Sequence, residues 1–85
     1  MRVYSRLVPA SATPLTEVLG NGVLTQASAV GLQAPTANAE TIFFGDKNQQ
    51  PFELRPEANA LLPINSIKDV YIKGTAPDKI SIGLF

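Results

Sequence analysis

Several residue groups in this chain could in principle do chemistry. Lys79 and Ser81 stand two apart, so on an extended strand they share a face. A Ser–Lys pair works as nucleophile and base only where the lysine is desolvated and its pKa falls. Here Ile80 and Ile82 take the apolar side, which leaves Lys79 to solvent, and a plain surface placement is the better reading. Ser66 and Lys68 read the same way. Glu53 and Glu57 flank Arg55 and Pro56. Paired carboxylates serve as acid and base in glycoside hydrolysis, but the proline breaks this segment and Arg55 neutralises one of them. Asp46-Lys47-Asn48 has only the opening of a calcium loop. The alternating oxygen ligands and the closing Glu are missing, so it reads as a turn.

The chain has no His and no Cys. Acid–base work near neutrality would fall to carboxylates or lysines with strongly shifted pKa values. The commonest metal ligands and any disulfide are also missing. The expectation is therefore a protein that is not an enzyme, with no catalytic residues, no cofactor and no metal. Seven Lys and Arg balance seven Asp and Glu, which supplies no field for nucleic acid or an anionic membrane. No apolar run approaches the ~20 residues needed to span a bilayer, and the segment MRVYSRLVPAS lacks the apolar core of a signal peptide.

What remains is binding. Arg2, Tyr4 and Arg6 alternate with Val3 and Leu7, a basic face with one aromatic. Such a stripe can clamp single-stranded nucleic acid. In a neutral chain, contact with an acidic protein surface is the better reading. Phe43, Tyr71 and Phe85 each fall opposite an alternating apolar set. Three such aromatics in one small domain point to a partner surface or to a second packed layer. These six residues are the candidate interface.

The elements that would carry them read as strands. Period-two alternation marks a strand with one buried face. Ile80, Ile82 and Leu84 alternate in DKISIGLF, and Val70 and Ile72 in IKDVYIK. Gly74-Thr75-Ala76-Pro77 between them reads as a turn, giving a hairpin with Ile72 opposite Ile80, Val70 opposite Ile82 and Lys73 opposite Lys79. In TIFFGDKNQQPFELRP, Phe44 faces Phe52 and Ile42 faces Leu54 on a buried side, with Thr41, Phe43, Glu53 and Arg55 outward. Pro51 and Pro56 mark the second strand as short or at an edge. Val30, Leu32 and Ala34 alternate, and LLPI near Leu61 is a short strand with Pro63 as an edge device.

Residues 9–39 are rich in Ala, Ser and Thr. The Asn-Gly after Gly20 favours a hairpin from Leu15–Leu19 into Val23, Leu24 and Thr25. The alternative is one helical turn starting at Thr13-Pro14 and stopping at Gly20. The segment is thus an extended arm or a hairpin within a single β domain, residues 1–85. Seven to nine short strands with frequent turns make the fold class all-β, a small β-sandwich or jelly-roll-like barrel. A domain of 85 residues buries a modest fraction of its surface, so association with copies of itself or a larger partner is expected.

From Val30 to Phe85 the chain resembles small β-rich bacteriophage virion proteins. The pieces are Leu32-Gln33-Ala34, Asn38-Ala39, Thr41-Ile42-Phe43-Phe44-Gly45-Asp46, Phe52-Glu53-Leu54-Arg55-Pro56, Asp69-Val70-Tyr71-Ile72-Lys73-Gly74 and Asp78-Lys79-Ile80-Ser81-Ile82. The family pattern often has Gly after its Leu-x-Pro element, where this chain has Glu57-Ala58-Asn59. The resemblance implies a capsid decoration or cement protein on the virion, assembled in the host cytoplasm. Its partners would be copies of itself, as a trimer, and the major capsid protein or another virion protein, with no nucleic acid and no membrane. A tail or fibre-base component is the nearest alternative. A carbohydrate- or peptide-binding sandwich using Phe43 and Tyr71 as a stacking platform is another.

Overall fold

A computed structural model describes residues 2–20, 28–63 and 67–85. The strands are β1 (Arg2–Leu7), β2 (Thr13–Pro14), β3 (Val30–Gln33), β4 (Ile42–Gly45), β5 (Phe52–Leu54), β6 (Asn59–Leu62), β7 (Tyr71–Lys73) and β8 (Lys79–Leu84). One short helix, α1 (Leu15–Leu19), and a 3₁₀ turn, Ile67–Asp69, interrupt them. The strands form two antiparallel four-stranded sheets, in the orders β1-β8-β3-β6 and β2-β7-β4-β5. The protein is an all-β sandwich.

Its core is the set of residues that alternate inward from both sheets. Val30, Leu32, Ile80, Ile82 and Leu84 come from the first sheet, and Ile42, Phe44, Leu54 and Ile72 from the second. The β4–β5 hairpin has the expected register, Ile42 opposite Leu54 and Phe44 opposite Phe52, but Phe52, expected on a buried side, is 59% exposed because β5 is an edge strand. The two rings sit 5.4 Å apart and tilted. Strands β5 and β6 both lie at sheet edges, where Pro51, Pro56 and Pro63 are tolerated because no ladder partner needs their missing N–H.

Three further expectations fail. First, β7 and β8 are not a hairpin. β7 pairs with β2 and β4 in the second sheet, β8 with β1 and β3 in the first. Ile72 and Ile80 therefore belong to opposed sheets, and Lys73 stands beside Phe43 while Lys79 stands beside Leu7. Alternation reports which side of a strand is buried, and in a sandwich both sheets bury toward the same space. Second, Leu15–Leu19 is helical, not a strand. Leu15, Val18 and Leu19 sit at the i, i+3, i+4 spacing of a helix face, and the Leu15 and Leu19 side chains are buried. Pro14 is extended before the helix, and Gly20 closes it with φ 90 and its N–H on the Thr16 carbonyl, 3.2 Å. Residues 23–25 of the expected hairpin, and Ser66, lie outside the described residues. Third, the faces of β1 are reversed. Tyr4 stands beside Ile82 and packs against the core, while Val3 and Leu7 point outward, more than half exposed. β1 is an edge strand, so its inward side lies at the open flank of the sandwich. There an amphipathic Tyr or Arg closes the core with its stem and keeps its polar tip wet.

Candidate docking surface

The outer face of the first sheet is built by register. Val3, Gly83, Gly31 and Leu61 form one row across all four strands. Ser5, Ser81, Gln33 and Asn59 form the next, and Leu7 and Lys79 the third. The two central strands thus carry no side chain at Gly83 and Gly31, then Ser81 and Gln33. The flanking strands carry Val3 and Leu7 on one side and Leu61 on the other. The result is a trough along the strands, with a cavity of about 330 Å³ over the glycine pair.

Phe85 lies on the floor of this trough. A Cβ built on Gly31 would come 3.1 Å from the Phe85 ring, and one on Gly83 would come 3.4 Å from it. The ring covers backbone that two absent side chains leave bare, yet Phe85 remains 53% exposed. Val3 at 62%, Leu7 at 61% and Leu61 at 64% share that face. Among the described residues the other large apolar side chain exposed to this degree is Phe52, on edge strand β5. An apolar set gathered on one sheet face differs from the scattered apolar exposure of an ordinary surface.

The six candidate residues separate into three places. Phe43 and Tyr71 are half-buried on the outer face of the second sheet. Phe43 stands beside Lys73 and Glu53, and Tyr71 beside Gly45, so the two aromatics are diagonal neighbours on adjacent strands. Phe85 is on the opposite side of the molecule. Arg2, Tyr4 and Arg6 line the open flank beside β1 and are half-buried. The Arg6 guanidinium donates from Nε and Nη2 to the Leu19 carbonyl, 3.3 and 3.2 Å, and from Nη1 to the Ser5 carbonyl, 3.0 Å. It also lies 5.3 Å from the centre of the Tyr4 ring. Arg6 therefore ties α1 to β1, a use that the alternating pattern did not suggest. The exposed apolar residues Val3 and Leu7 were missed because alternation was read as burial, and Leu61 because its short strand gave no alternation to assign a face. The signal that could have found them is the glycine pair, which marks a sheet face that something approaches closely.

Of the residue groups with chemical potential, Lys79 and Ser81 share the outer face of the first sheet, with Lys79 exposed. Glu53 and Glu57 are both exposed. Asp46 folds its own turn: its carboxylate accepts from the backbone N–H groups of Asn48 and Gln49 at 2.9 and 2.8 Å. Among the described residues no cluster of acidic side chains has the make-up of a metal site, and no helix is long and apolar enough to cross a membrane. Comparison with protein-family models, curated proteins and solved structures gives no match to this chain.

Proposed function

We propose that this chain is a structural module that docks on a larger protein assembly by burying the outer face of its first sheet, without chemical turnover. The observation that carries the reading is the gathering of Val3, Leu7, Leu61 and Phe85, each more than half exposed, on one registered face. Burial returns about 25 cal/mol per Å² of apolar surface removed from water, so a partner that covers this face gains from every one of them. The resemblance to small phage virion proteins supplies the assembly: a capsid decoration or cement protein, bound as a trimer across neighbouring capsid subunits. A tail or fibre-base position uses the same chemistry. The test is the composition of gradient-purified virions. The 9.1 kDa chain should band with the particles in fixed ratio to the shell protein. Recovery of the chain in the soluble fraction alone overturns the reading.

A second reading is favoured by the diagonal placement of Phe43 and Tyr71 on the second sheet. Two half-exposed rings on adjacent strands can stack sugar rings. Binding to a glycan array with no large partner present, lost on Tyr71→Ala, would support it.

A further inference from the structure

We infer that the occupant of the first sheet's outer face is an acidic amphipathic helix of the partner protein, laid along the strands over the Gly31–Gly83 trough. The inference rests on the docking reading above and names what docks.

Shape is the first ground. The rims of the trough, Val3 on β1 and Leu61 on β6, are three strand spacings apart, about 14 Å at ~4.8 Å per spacing. A helix with its side chains is about 10–12 Å across and fits between them. Its apolar ridge would meet the exposed Phe85 ring, which lies low in the trough because Gly31 and Gly83 beneath it carry no side chains. A second copy of this chain is a poor fit. Its own face is a trough too, so rim would meet rim and leave a void.

Area is the second. β1 and β8 are six residues long, about 20 Å at ~3.3 Å per residue, so the face covers about 300 Å² in plan. Even doubled for relief, that falls short of the ~800 Å² per partner of a stable globular interface. It matches one helix of about 14 residues, whose length is also about 20 Å.

Charge is the third. On its outer face the strands of the first sheet carry one charged residue, the basic Lys79, since Arg2 and Arg6 alternate to the opposite side. The acidic residues of the chain lie in loops, in α1, in the 3₁₀ turn and on β5. Lys79 is exposed at the end of the trough beside Leu7. A helix with a carboxylate beside its apolar ridge meets this charge, and one with a lysine there is repelled. The neutral row Ser81, Gln33 and Asn59 can hydrogen-bond along the way.

The experiment is an amide-shift titration of the full chain with two synthetic helical peptides. Each has about 14 residues and Leu along one face; one has Glu on both flanks, its twin Lys. The Glu peptide should give saturable shifts at Gly31, Gly83, Ser81, Leu61 and Lys79, and the Lys twin should bind about tenfold more weakly. Lys79→Glu should reverse that preference, and Leu61→Ser should weaken both peptides. Both side chains are exposed, so the fold should survive each change. Equal response to the two peptides, shifts centred on Phe43 and Tyr71, or no saturable response overturns the inference. So does binding to phosphatidylglycerol vesicles with no peptide response, which would mark a lipid surface. Chain found on purified virions without peptide response overturns the helix and leaves docking standing. Peptide response from a chain absent from virions overturns the virion reading and leaves the helix site.

Discussion

Asn38 pairs with Lys79 as a strand residue would: its Nδ2 donates to the Lys79 carbonyl at 2.7 Å, and its Oδ1 accepts from the Lys79 N–H at 2.9 Å. One residue earlier, the buried Asp78 accepts from the backbone N–H groups of Ala39 and Glu40 at 3.0 and 2.8 Å. Together they fasten the loop between β3 and β4 to the start of β8. Among the described residues no buried side-chain nitrogen or oxygen is left without a partner.

Asn38→Ala removes both bonds and strands two backbone groups of Lys79. The expected cost is about 2–3 kcal/mol, read as a lower urea midpoint at unchanged slope. Gln33→Ala, exposed on the outer face, should stay within about 0.5 kcal/mol. Equal effects would show that the Asn38 bridge does not hold the loop.

Glu57 takes φ 75 at the third position of a turn closed by the Ala58 N–H on the Arg55 carbonyl, 2.8 Å. Positive φ there, after Pro56, is the mark of a type II turn and suits glycine. A left-handed non-glycine residue costs about 1–2 kcal/mol, part of which glycine returns through its looser unfolded chain. Glu57→Gly should therefore stabilise the protein by about 0.5–1 kcal/mol. A lower melting temperature for the variant would contradict the turn.

Ile80→Ala opens a cavity between the sheets and should cost about 2–5 kcal/mol. Ser81→Ala, on the outer face, should cost little. The contrast was legible from alternation alone, and so was the β4–β5 register, because its turn sequence and apolar faces agree. The pairing of β7 with β8 was not, since inward alternation is the same whether two strands are neighbours or face each other across the core. The helix Leu15–Leu19 was outweighed by the Asn-Gly signal that follows it. The docking face was half legible: Phe85 was singled out, whereas Val3 and Leu7 were put on the wrong side of an edge strand. A denaturation series in which Ile80→Ala and Ser81→Ala cost the same would contradict the two-sheet core.

Arg6→Ala loses two bonds to the helix C-terminus and the contact with the Tyr4 ring. A cost of about 1–2 kcal/mol follows, seen first as faster amide exchange in α1. Attachment to a partner should be unchanged. Release from the partner at full stability would instead make Arg6 a contact residue.

Apolar burial on the first sheet's outer face is proposed to hold this protein to its assembly. The most direct measurement is retention on purified virions after a wash in about 1 M salt, where charges are screened beyond ~3 Å. The wild-type chain and Phe43→Ala should stay bound, while Leu61→Ser and Phe85→Ala should be lost, since apolar anchors can each contribute about 2 kcal/mol or more. Loss of the wild-type chain in salt, or release by Phe43→Ala with Leu61→Ser retained, would contradict it.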